Sequence, residues 1–172
     1  MSITTTEAAN LQKLVASMFN LGLSSSLYTD LSASYEAAGN NLSTIADALA
    51  QHDAFNMGAD AATQTATLLT NLGLTTGTDA GAIASEFILN GLTNGNTIQQ
   101  MAVAAINYLN DDTNRASIFD DSALVLENKA TVSQALIDSG IVISSIADLD
   151  VIKDVTSDDL TVTAAQTEIE TA

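Results

Sequence analysis

The sequence predicts an all-α protein, a compact bundle of about seven to nine short helices. A duplicated three-helix unit is expected first, followed by a C-terminal helical segment. Three observations lead there. Not one of the 172 residues is proline, so no helix is interrupted by a ring that lacks an N–H. Apolar residues recur at helical spacing between clusters of Thr, Ser, Asn and Asp. One stretch of punctuation also occurs twice, as Met18-Phe19-Asn20-Leu21-Gly22-Leu23-Ser24-Ser25 and as Leu69-Thr70-Asn71-Leu72-Gly73-Leu74-Thr75-Thr76. Each copy reads as a helix end joined to the next helix start. Gly22 and Gly73 are expected to take the left-handed conformation that closes a helix, and the hydroxyls after them to cap the next one.

The elements follow in order. Thr4-Thr5-Thr6-Glu7 starts a first helix that carries Leu11, Leu14, Val15, Met18 and Phe19 to about Asn20. Ser24 to Ser26 start a second, with Leu27, Tyr28, Leu31 and Tyr35, ending at Gly39. Asn40 and Asn41 lead into a third, whose apolar face is Leu42, Ile45, Ala46 and Leu49; Phe55 and Met57 close this unit. Asp60 caps a fourth helix through Leu68, Leu69 and Leu72, and Thr78 and Asp79 start a fifth with Ile83, Phe87, Ile88 and Leu92. After the turn Thr93-Asn94-Gly95-Asn96, a sixth carries Ile98, Met101, Ala102, Ala105, Ile106 and Leu109. Asn20 aligns with Asn71, and Gly39-Asn40-Asn41-Leu42 with Gly95-Asn96-Thr97-Ile98, which divides the chain into 1–58, 59–110 and a remainder, 111–172. In that remainder, Ser122 is the expected cap of a helix with Leu124, Val125, Val132 and Leu136, closed by Gly140. Ile141-Val142-Ile143 reads as a short strand by its β-branched residues, while Ser144-Ser145 before Ile146, Leu149, Ile152 and Val155 favours a further capped helix. Asp158 and Asp159 start a last helix through Val162 to Ile169, and the end of the chain reads as a linker or a mobile tail.

Composition narrows the function. Apolar residues at 47% supply a core, but aromatics at 4% and the absence of Trp leave the packing to Ala, Leu, Ile and Val. With no Cys there is no disulfide, no thiol chemistry and no Cys-ligated metal. The net charge of −17, with only Lys13, Arg115, Lys129 and Lys153 as cations, excludes nucleic acid and a bare anionic membrane as partners. It favours solubility and makes divalent cations suitable partners. The N-terminus lacks the basic and apolar regions of a Sec signal peptide, and no apolar run approaches the ~20 residues of a membrane span. Export by a route with its signal elsewhere, prior processing, and a cytosolic place all fit that.

No catalytic or cofactor-binding residue emerges, so the chain is expected not to be an enzyme. His52, the sole histidine, falls at the end of the third helix, where a cation suits the dipole, and one His without Cys does not make a usual zinc site. There is no phosphate-binding Gly-rich loop and no Gly-x-Ser-x-Gly elbow. Asp111, Asp112, Asp120 and Asp121 flank one short segment with Asn110 and Asn114, dense enough in hard oxygen ligands to hold calcium, although not in EF-hand spacing. Capping and solvation are the simpler account of the same four acids. Arg115 beside them reads as a local ion pair or as a contact to a partner's phosphate or carboxylate. Tyr28, Tyr35 and Tyr108 read as core or half-buried helix residues.

A family resemblance adds to this. Leu14-Val15-Ala16-Ser17-Met18-Phe19-Asn20, Leu27-Tyr28-x-x-Leu31, Ala37-Ala38-Gly39-Asn40-Asn41-Leu42 and Ile45-Ala46-x-x-Leu49 stand in a recognisable order. Asn128-Lys129-x-x-Val132-Ser133 and the stretch from Ala147-Asp148-Leu149 to Asp154-Val155-Thr156 continue it. Together they resemble the helical N-terminal domain of bacterial surface-layer and RTX-type adhesin-like proteins exported by type I secretion. The Leu-Gly-Arg and Gly-x-x-x-Trp elements often found there are missing, so ligand roles at those positions do not transfer. The resemblance implies a non-enzymatic structural module, extracellular at the cell surface and exported without a Sec signal. It implies attachment to the lipopolysaccharide of the outer membrane, lattice self-assembly, or both, with calcium in support. A homo-oligomer or lattice is the expected assembly; a self-polymerising filament or matrix subunit, and a small-molecule or metal-binding enzyme domain with an acidic cleft, are the alternative expectations.

Overall fold

In the computed structural model, residues 3–141, 143 and 145–171 are described, with Ile146 described by its backbone alone. Local hydrogen bonding decides where the first six helices begin. Thr4, Ser24, Asn41, Asp60, Thr78 and Thr97 each accept, on a side-chain oxygen, the backbone N–H of the third residue after them. These caps start α1 (Thr5–Phe19), α2 (Ser25–Ala37), α3 (Leu42–Leu49), α4 (Ala61–Asn71), α5 (Asp79–Thr93) and α6 (Ile98–Leu109). At α1 and α6 the bonding is reciprocal: Glu7 accepts the Thr4 N–H at 2.7 Å and Gln100 accepts the Thr97 N–H at 2.9 Å. Each such cap stabilises its helix by about 1 kcal/mol.

The seventh helix starts differently from expectation. α7 (Asp120–Ser139) grows out of a 3-10 turn, Ser117–Phe119, and has no side-chain cap. Ser122 lies inside it, 2% exposed, and donates to the Leu72 carbonyl at 2.7 Å. Gly140 closes α7 in the left-handed conformation, as expected. Ile141 and Ile143 are irregular rather than strand, while Val142 and Ser144 lie outside the described residues. A 3-10 helix, Ile146–Ile152, then follows, with the Asp148 carboxylate accepting the Ser145 N–H at 2.9 Å. α8 (Asp159–Thr171) ends the fold. Among the described residues there is no strand, and no helix is long and apolar enough to cross a membrane.

The helices close over two cores. The larger joins Leu11, Leu14 and Met18 of α1 to Leu68 and Leu69 of α4, Ala102 and Ile106 of α6, and Leu126 of α7. The smaller joins Ala16 of α1 to Val132 and Leu136 of α7, Ile152, and Ala165 and Ile169 of α8. Because α1 and α7 serve both cores they are buried on more than one face, and they pack on each other along the middle of the molecule. α1 also packs against α4, and α3 against α6.

The repeated turns are not identical. In the second copy Gly73 takes the left-handed conformation (φ 72°), as expected. In the first copy Asn20 takes it instead (φ 54°), because α1 ends a residue sooner in the motif. Gly22 serves close packing: its N–H donates to the Leu149 carbonyl at 2.8 Å, and a Cβ there would lie 3.2 Å from Leu136 Cδ2.

Candidate functional site

Three of the four aspartates named from sequence, Asp111, Asp112 and Asp120, border an open groove of about 920 Å3 between the first half of α1, the end of α6 with the loop after it, and the start of α7. Arg115 organises one side. Its Nε donates to Asp120 Oδ1 at 3.0 Å and its Nη1 to Asp112 Oδ1 at 2.8 Å and to the Leu109 carbonyl. Asp120 first, then Asp112, hold the guanidinium in its charged form. Asp111 turns the other way. Its carboxylate accepts Asn114 Nδ2 at 2.8 Å and the backbone N–H groups of Thr113 and Asn114, which push its pKa below the ordinary value, the Asn114 side chain most. Asp121 is exposed in the first turn of α7, where an acid suits the helix dipole.

The four acids therefore do not meet at one point. Two are held by Arg115, one by Asn114, and one faces solvent. Among the described residues, no three His, Cys, Asp or Glu side chains are gathered so as to hold a metal ion. The local ion pair expected for Arg115 is present.

α1 supplies the opposite wall, with a second cation. Lys13 is 7% exposed; its Nζ donates to Asn110 Oδ1 at 2.8 Å and meets Glu127 Oε2 at 2.5 Å. Asn110 in turn donates to Asn10 Oδ1 at 2.9 Å. The groove thus gathers two of the chain's four cations, both paired with oxygen, together with the carboxamides of Asn10, Asn107 and Asn110. Such a lining is suited to hydrogen bonding with polar groups. The only histidine is elsewhere: exposed His52, just past α3, accepts the Ala54 N–H on Nδ1 at 3.1 Å. It lies on the surface past the helix and accepts a turn N–H, rather than placing a cation on the last carbonyls of α3.

A second surface feature is apolar. Phe87 and Ile83 of α5, 57% and 52% exposed, stand over a cavity of about 220 Å3 lined with Leu74, Ala105, Tyr108 and Phe119. Tyr108 packs edge-on against Phe119, with ring centroids 5.5 Å apart, and its hydroxyl accepts the Ala116 N–H at 2.9 Å. Tyr35 is buried and Tyr28 half-buried, as expected; Tyr108 is the more exposed of the three.

Sequence reasoning did not single out Lys129 as a functional or core residue. Its ammonium is 2% exposed and donates to Asn20 Oδ1 at 2.6 Å and to the Asn71 carbonyl at 2.9 Å. Burial lowers its pKa to about 8. The signal was present in the spacing, because Lys129 stands between Val125, Leu126, Val132 and Leu136 on the core stripe of α7.

The fold and the groove together define an all-α bundle with a polar surface groove. Comparison with protein-family models, with curated proteins and with solved structures finds no match for the chain in any of the three.

Proposed function

We propose that this chain is a non-enzymatic cell-surface structural module that anchors a surface-layer-like protein to the lipopolysaccharide of the outer membrane, with lattice self-assembly as its companion role. The groove carries the reading. Asn10, Asn107 and Asn110 present both donors and acceptors, which is what vicinal sugar hydroxyls require. The guanidinium of Arg115 spends Nε and Nη1 on two carboxylates and a carbonyl, which hold it rigid and leave its Nη2 donors for a phosphate or carboxylate on the same glycan. Calcium enters as a bridge whose further ligands come from the anionic glycan, because the described acids gather no metal site of their own and a chain of charge −17 otherwise repels an anion. On this reading the module works outside the cell, and the units 1–58 and 59–110 are a duplication, supported by the packing of α1 on α4 and of α3 on α6.

The test is retention on immobilised lipopolysaccharide with calcium or chelator. Calcium-dependent retention that falls with Asn107→Ala supports the reading. A monomer that binds in neither condition overturns it.

A self-polymerising filament or matrix subunit is the second reading, favoured by the exposure of Phe87 and Ile83 over an apolar cavity. Negative-stain images of concentrated protein decide it. Filaments that are lost with Phe87→Ser and insensitive to chelator support it, and their absence at every concentration rejects it.

A further inference from the structure

We propose that the groove bounded by α8, the end of α7 and the 3-10 helix Ile146–Ile152 is a docking surface for a cationic amphipathic segment of another protein. It lies apart from the Arg115 groove, holds about 850 Å3, and combines two chemistries. Its floor is apolar, made by Leu136, Ile141, Ile143, Val155 and Ile169. Its rim is acidic, with Asp148, Asp150, Asp154 and Glu168 against the single cation Lys153. Asp150 is bonded to Lys153, and Asp148 to Ser145. Asp154 and Glu168 are exposed, and neither carboxylate bonds to another described residue.

An apolar floor between acidic rims fits one kind of occupant: a helix or extended segment with aliphatic anchors on one side and Lys or Arg flanking them. Charge also says what the occupant is not. A second copy of this chain has no such segment, because Lys13 and Lys129 are buried, Arg115 is held by Asp112 and Asp120, and Lys153 already sits in the groove. Nucleic acid and anionic lipid are repelled by the same rim. This inference does not depend on the cell-surface reading.

The probe is a synthetic amphipathic helix made only of leucine and lysine, with a serine–lysine peptide of equal charge as control. Asp154→Asn with Glu168→Gln removes two rim charges. Asp30→Asn with Asp53→Asn removes two exposed charges elsewhere. We expect the rim pair to weaken binding roughly fivefold and the distant pair to change it little. We also expect the serine–lysine peptide to bind poorly, and amide shifts on titration to centre on Ile143, Val155 and Ile169. Equal weakening by both pairs, equal binding of both peptides, or shifts centred outside the groove would overturn the proposal. Thermal melts of both variants confirm that the fold is retained.

Discussion

The Lys129 ammonium donates to Asn20 Oδ1 at 2.6 Å, joining the middle of α7 to the left-handed residue that closes α1. Its second bond, to the Asn71 carbonyl, reaches the other copy of the repeated turn. The neighbours of Lys129 on α7 extend the arrangement. Ser122 donates to the Leu72 carbonyl of the second turn, and Ser133 accepts the Leu23 N–H of the first at 2.9 Å. Val125 packs where a Cβ on Gly73 would fall, and Leu136 where one on Gly22 would. Each of these pairs is about three helical turns apart on α7. One helix therefore holds both turns by the same alternation of polar and apolar contacts.

The buried lysine makes stability depend on pH in a defined direction. Its pKa is about 8 in the folded chain, against 10.5 when unfolded, because burial disfavours the charge. Below pH 8 both states hold the proton and the burial cost is constant. Between pH 8 and 10.5 the unfolded chain still binds a proton that the folded chain has released, so stability rises with pH, by up to about 3 kcal/mol over the window. Urea midpoints measured across that range are expected to climb for the native chain and to climb much less for Lys129→Met. Parallel profiles for the two proteins would show that this ammonium is not the source.

The Asn20–Lys129 bond is itself measurable. Asn20→Gly keeps the left-handed backbone and loses the acceptor; Asn20→Ala loses both. The glycine variant is expected to be less stable by about 1–2 kcal/mol, and the alanine variant by about 1 kcal/mol more. In a double-mutant cycle with Lys129→Met, the glycine change should cost far less, because its partner is already gone. Additive losses would mean that the contact contributes nothing.

How much of this was legible in the sequence follows from the range of each interaction. The caps at Thr4, Ser24, Asn41, Asp60, Thr78 and Thr97 each bond within three residues, so residue type and spacing were enough to place six helix starts. α7 was misplaced because its start has no cap and Ser122, which looked like one, spends its hydroxyl on a carbonyl of α4's exit turn. Arg115 and its aspartates were readable as a local pair. The opposite wall of their groove was not, because Lys13 and Asn10 arrive from α1 only through the tertiary packing of α1 on α6 and α7.

Two glycines near α5 test how tightly its first turn is packed. An alanine inside a helix normally stabilises it by up to about 1 kcal/mol relative to glycine. At Gly81 the sign should invert, because a Cβ there would stand 1.8 Å from the Thr75 carbonyl oxygen, a backbone atom that accepts both the N–H and the hydroxyl of Thr78. Gly81→Ala is expected to lower stability by about 2 kcal/mol or more. At Gly77 a Cβ meets nothing within 4 Å, and Gly77→Ala should leave the melting temperature unchanged or slightly raised. Similar melts for the two variants would show that the turn 75–78 moves aside freely.

Arg115 separates the structural role of its groove from the binding role proposed for it. Its guanidinium bonds Asp112, Asp120 and the Leu109 carbonyl at once, which ties the loop after α6 to the first turn of α7. A lysine keeps the charge but cannot span three acceptors in a plane. Arg115→Lys should therefore lower the melting temperature only modestly, since the partner carboxylates are solvent-exposed. Retention on immobilised lipopolysaccharide should fall further than that loss explains, because the planar donor set is gone. Asn107 takes no part in these bonds and is exposed, so Asn107→Ala should weaken retention with no change in melting temperature. If Arg115→Lys melts earlier yet binds as well as the native chain, the guanidinium serves only to close the loop, and any glycan recognition in this groove rests on its carboxamides.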